Sequence, residues 1–198
     1  HFNQQDKIII SVGLYIERKG ILDFVELAKT MPEYKFIWFG YTNLSTVTSE
    51  VKKAVETKLP NLYFPGYVSR EELKDAYSGS NLFLFLTHEE TEGIVLLEAL
   101  SMKIPVLIRD IPIYQGWFKD GVNIYTGKDL LQFENKIQGI MNHTLPPLVE
   151  QGYEVVKEND IKEVGKQLVN VYDNLMKQQQ YVLKRKRVLK PYFISNIR

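Results

Sequence analysis

Residues 81–86, Asn-Leu-Phe-Leu-Phe-Leu, carry no charge, and their length and aromatic content suit a strand buried on both faces. Such a run belongs at the centre of a parallel sheet. A polar turn follows, Thr87-His88-Glu89-Glu90-Thr91-Glu92-Gly93, and from Ile94 the apolar residues continue without alternation through Met102. That pattern predicts a helix buried on nearly every side. Glu98 is its only charge before Lys103, and a carboxylate among Leu96, Leu97, Ala99 and Leu100 is costly unless something hydrogen-bonds it. The oddity asks for a ligand.

Strand, glycine turn and helix in succession leave the backbone N–H groups of Gly93, Ile94 and Val95 without intrahelical partners. With the helix dipole they form a seat for a phosphate. Glu90 on the loop and Glu98 inside the helix would then meet the two ends of a ligand spanning the helix tip, as acceptors suited to hydroxyl groups. Taken alone, the pair fits equally a solvated face plus one satisfied buried acid.

The remaining chain reads as alternating strands and helices. Residues 8–13 form a first buried strand after a polar, abrupt start that looks like the edge of an excised half. A loop to Gly20 carries Arg18 and Lys19 just ahead of a helix marked by Ile21, Phe24, Val25, Ala28 and Met31. In a doubly wound sheet, loops at the carboxyl ends of strands line the ligand crevice, so these cations would face the same opening as Gly93; a solvated basic loop is the bland alternative. Residues 34–40 predict a strand, 44–58 contain a helix facing inward through Val51, Ala54 and Val55, and 61–68 predict a short strand and turn. Ser69 and Glu72 form a capping box for a helix facing inward through Leu73, Ala76 and Tyr77. Residues 105–109 and 121–125 read as further buried strands, separated by an unusually aromatic loop, 110–117. Helices follow on Leu130, Phe133, Ile137, Ile140 and Met141, and, capped by Asp160 with Glu163, on an inner face of Ile161, Val164, Leu168, Val171 and Leu175.

Glu90, seven intervening residues, Glu98-Ala99-Leu100 and Pro105-Val106, together with Arg18-Lys19-Gly20 after the first strand, resemble the signature of the family 4 retaining glycosyltransferases. These enzymes have the GT-B fold of two Rossmann-like halves. The resemblance covers most of residues 8–175 and implies a Rossmann-like, doubly wound α/β parallel sheet of about six strands flanked by helices, the donor-binding half of such an enzyme. It implies that Lys19, with Arg18, clamps the donor diphosphate beside the amides of Gly93, Ile94 and Val95. It also implies that Glu90 faces the donor sugar, that Glu98 binds the ribose, and that Gly66 and Tyr67 neighbour the uracil. Glu90 and Lys19 would be the catalytic pair. Two departures are visible: Thr91 and Glu92 stand where the family usually has glycine and an aromatic, and Leu14 stands where many members carry arginine. His88, commonly aromatic or variable in the family, reads as a packed or hydrogen-bonded histidine.

A weaker overall likeness points to bacterial enzymes that move glucose from UDP-glucose to diacylglycerol-type lipids. The expected partners are therefore a UDP-sugar, an N-terminal acceptor-binding domain and a lipid acceptor or anionic membrane surface, with no specific nucleic acid. The other open reading is a non-catalytic doubly wound nucleotide-binding or regulatory module.

Composition sets the outer limits. Lys+Arg 25 nearly cancels Asp+Glu 24, so global charge announces neither nucleic acid nor a strongly acidic partner. With no cysteine, disulfides, thiolate metal sites and cysteine nucleophiles are excluded, which fits a cytoplasmic protein, and no signal peptide or membrane-spanning run is evident. No Asp-x-Asp pair occurs, so neither a metal nor another cofactor is expected. The domain expectation is residues 1–177 as the nucleotide-sugar domain and 178–198 as a basic, aromatic tail. Its cluster Lys184-Arg185-Lys186-Arg187 suits a peripheral membrane contact, a nonspecific RNA contact or a segment crossing back to a second half.

Overall fold

The computed structural model describes residues 2–189, with side chains through residue 179. The chain divides into two compact units, His1–Val156 and Lys157–Arg198. Among the described residues the first holds one six-stranded sheet, built from β1 (Ile8–Val12), β2 (Lys35–Phe39), β3 (Leu62–Gly66), β4 (Leu82–Phe85), β5 (Val106–Arg109) and β6 (Tyr125–Gly127). All neighbouring strands are parallel, in the order β3-β2-β1-β4-β5-β6. The order reverses between β1 and β4, and that switch point opens a crevice at the strands' carboxyl ends.

Two cores explain the charge-free runs. On one face α1 (Ile21–Thr30), α2 (Ser49–Glu56) and α5 (Leu130–Met141) bury Phe24, Val51 and Phe133 against Phe36, Trp38 and Leu84. On the other, α3 (Arg70–Ser78), α4 (Ile94–Ser101) and α6 (Val149–Glu158) bring Tyr77, Leu96, Ala99 and Leu100, with Val156, against Phe83, Phe85 and Ile108. All four residues of β4 and of β5 are buried, as strands covered on both sides must be. The Ser69 capping box forms, with both reciprocal bonds in place.

Several expectations are corrected. The last strand is β6 at Tyr125–Gly127, not 121–125, because the preceding residues close as a turn. There Gly121 adopts φ 69°, Asn123 Oδ1 accepts from Lys119 N at 2.8 Å, and Asp120 Oδ1 accepts from Thr126 N at 2.7 Å. Nor is α4 buried on nearly every side. Leu96, Ala99 and Leu100 are buried, whereas Ile94 is 61% exposed and Glu98 half-buried, because Ile94, Glu98 and Ser101 share the face turned from the sheet. Periodicity leaves residues 149–158 without an element, yet α6 forms there and packs Gly152 so tightly that a Cβ would lie 2.7 Å from Leu100.

The second unit is described through α7 (Ile161–Leu189). Asp160 Oδ1 accepts from Lys162 N at 2.8 Å, but Glu163 pairs with Lys166 instead of completing a cap. The expected inner face of Ile161, Val164, Leu168, Val171 and Leu175 is exposed, since amphipathic spacing defines a face without supplying what covers it. The boundary expected between residues 177 and 178 falls within this helix. The side chains of Lys184, Arg185, Lys186 and Arg187, and all of residues 190–198, lie outside the described residues.

Candidate functional site

The crevice at the switch point is assembled by glycines in left-handed conformations. Gly20 has φ 81°, and a Cβ there would lie 2.2 Å from the Leu86 carbonyl oxygen. Its absence lets the 3-10 turn Glu17–Lys19 settle against the end of β4. Arg18 O then accepts from His88 N at 2.7 Å and from the Thr87 hydroxyl at 3.2 Å, and Arg18 Nη1 donates to Glu89 O at 3.3 Å. These bonds stitch the two loops together.

Across that seam the Lys19 ammonium donates to Glu90 Oε2, in an ion pair whose side chains are 15% and 9% exposed. The ammonium also lies 5.8 Å from the centre of the Phe85 ring. Glu90 Oε1 accepts from Thr91 N at 3.0 Å. Burial pushes the Glu90 carboxyl up, but Lys19, the Thr91 amide and the Arg18 charge outweigh it and hold the group below its ordinary range.

Gly93, φ 82°, starts α4, and no side chain caps that end. The structure forms no hydrogen bond from the N–H groups of Gly93, Ile94 and Val95 among the described residues. A Cβ on Gly93 would lie 2.5 Å from the Tyr114 hydroxyl and 3.5 Å from Glu90 Cγ, so Lys19, Glu90, Gly93 and Tyr114 converge on one small region. The arrangement presents unpaired donors and a positive dipole end beside a held carboxylate, chemistry suited to a phosphate next to a hydroxylated group.

Glu98 opens elsewhere, onto a cavity of about 420 Å³ between α3 and α4, lined also by Arg70, Leu73, Lys74, Tyr77 and Ser101. The Tyr77 hydroxyl donates to Val95 O at 3.2 Å; burial first, then the neighbouring Glu98 carboxylate, pushes its pKa up. Glu98 thus borders this cavity with the Tyr77 hydroxyl as its side-chain neighbour. Gly66, φ 84°, ends β3, and its carbonyl accepts from Gly40 N at 2.9 Å. Tyr67 follows it, 84% exposed.

The sequence reading did not single out three residues. Tyr114 sits on a 3-10 turn, Pro112–Tyr114, inside the aromatic loop after β5. Arg109, at the end of β5, donates to Leu86 O and Lys128 O, both at 3.0 Å, and pairs with Asp23 on α1. Asp23 in turn holds His88 Nε2 at 3.1 Å, so the histidine is hydrogen-bonded. A lone charge closing an otherwise apolar strand was the signal for Arg109.

The family model described as glycosyl transferases group 1 matches residues 1–163. The processive diacylglycerol alpha-glucosyltransferase of Acholeplasma laidlawii is 38% identical over 179 residues, covering 89% of this chain and 54% of that protein. The alpha-galactosylglucosyldiacylglycerol synthase of Streptococcus pneumoniae is 29% identical over 168 residues, covering 83% and 41%. The structure of Anabaena HepE in complex with UDP-glucose superposes with a TM-score of 0.74 at 14% identity, covering 86% of this chain and 49% of that one, a likeness of fold. The chain spans about half the length of the curated relatives it matches.

Proposed function

The chain belongs to the group 1 glycosyl transferases, and from that premise we propose that it is the donor-binding half of a retaining enzyme transferring glucose from UDP-glucose to a diacylglycerol-type lipid. The observation carrying this reading is the Lys19–Glu90 pair set beside the uncapped N-terminus of α4. The names of the A. laidlawii and S. pneumoniae relatives support the lipid acceptor.

In this reading the amides of Gly93, Ile94 and Val95, with Lys19 and Arg18, hold the donor diphosphate. As the bond to the sugar breaks, negative charge grows on the departing UDP, and these fixed donors stabilise it without a metal ion. Glu90 accepts from the hexose hydroxyls once Lys19 turns to phosphate. Glu98 holds the ribose diol from within its cavity, with the uracil toward Gly66 and Tyr67. The acceptor would be presented by an N-terminal domain at the cytoplasmic membrane face; no helix among the described residues is long and apolar enough to cross a membrane.

Calorimetric titration with UDP tests this. Binding should be measurable in the unaltered protein and fall about tenfold or more in Glu98→Ala, since a lost charge-assisted bond to a diol is worth that much. Unchanged affinity in that variant would remove the assigned ribose contact. Failure of the unaltered protein to bind UDP would remove the functional reading itself.

A further inference from the structure

Tyr114 is 4% exposed, yet its hydroxyl has no hydrogen-bond partner among the described residues. Leaving a buried phenol unpaired is unfavourable, and such a group is retained where a ligand completes it. The backbone around it is ordinary: Tyr114 N donates to Ile111 O at 3.1 Å, and the ring meets Phe118 edge-on at 5.7 Å. The orphaned atom is therefore the hydroxyl alone.

Its position identifies what it awaits. The hydroxyl occupies the space a Gly93 Cβ would fill, at the tip of α4, where three amides are likewise unpaired. The adjacent carboxylate accepts from Lys19 and from Thr91 N and forms no bond to the hydroxyl. Burial, then the Glu90 charge, pushes the Tyr114 pKa up, so the phenol keeps its proton and acts as a donor. Donors from a helix tip and from a separate loop thus converge without an acceptor between them. An anion satisfies both at once.

Resting on the functional reading above, we propose that Tyr114 is a donor-binding residue whose hydroxyl donates a hydrogen bond to the distal phosphate of the nucleoside diphosphate. The same contact makes glycine obligatory at residue 93, since any side chain there would displace the hydroxyl.

The test compares UDP with UMP in the unaltered protein and in Tyr114→Phe, which keeps the ring and its packing. The variant should lose about tenfold in UDP affinity, as expected for a charge-assisted bond, with UMP affinity unchanged. Without ligand its melting temperature should equal or exceed that of the unaltered protein, because an unsatisfied hydroxyl has been removed. Unchanged UDP affinity, an equal loss for UMP, or a lower melting temperature would each overturn the proposal. If the unaltered protein binds UDP while the variant binds it equally well, the Tyr114 assignment alone fails; if the unaltered protein binds no UDP, both readings fail together.

Discussion

Glu90 carries the heaviest electrostatic duty in the crevice. Its pKa is held below the ordinary carboxyl value of 4.5, so its ionised form is favoured by folding. The resulting stability is fully present above about pH 4.5 and is lost as pH falls through the lower folded value. Glu90→Gln cannot titrate, so its stability should decline less steeply than the unaltered protein's below that pH; parallel urea midpoints across pH 3–5 would contradict the assignment. Removing the partner has the opposite consequence. In Lys19→Met the carboxylate stays buried with one amide donor, and we expect a loss of about 2 kcal/mol at neutral pH, read from chemical denaturation.

Between elements, the crevice depends on two close approaches. Gly20→Ala would place a side chain against the Leu86 carbonyl in a left-handed conformation, at a cost of at least ~2 kcal/mol. The 3-10 turn would also move away from β4, so UDP affinity should fall together with stability, although residue 20 has no assigned ligand contact. The second approach is the bridge from Asp23 on α1 to Arg109 on β5 and His88 on the β4–α4 loop. Burial lowers the Arg109 pKa and Asp23 pushes back. Asp23→Ala leaves the buried guanidinium with two carbonyl partners, and we expect a loss of about 2–3 kcal/mol in denaturant unfolding, with a smaller loss for Asp23→Asn. Equal losses for the two variants would show that shape, not charge, is what Asp23 supplies.

Across the sheet, the reversal of strand order between β1 and β4 brings the loop after β1 and the loop after β4 to one opening. Cations come from the first loop and helix-tip amides from the second. Because the proposed diphosphate charge is met by Lys19, Arg18 and these amides, stripping divalent cations with EDTA should leave UDP affinity unchanged. Affinity lost with EDTA and restored by magnesium would transfer that role to a metal. In the second unit α7 exposes an apolar face whose spacing alone does not name what packs on it.

Much was legible from local chemistry. Unbroken apolar runs fixed two-sided burial for β4 and β5, and the glycine before Ile94 marked the start of α4, because periodicity and turn preference act within a few residues; the cost of burying a charge did not apply at Glu98, which lies half-buried on the face turned from the sheet. The pairing of Lys19 with Glu90 joins residues 71 apart, and that of Asp23 with Arg109 joins residues 86 apart. The Tyr114 hydroxyl at Gly93, the start of β6 at Tyr125 and the open face around Glu98 are of the same kind. Each depends on which strands become neighbours and where side chains point once packed, and no spacing along the chain carries that information.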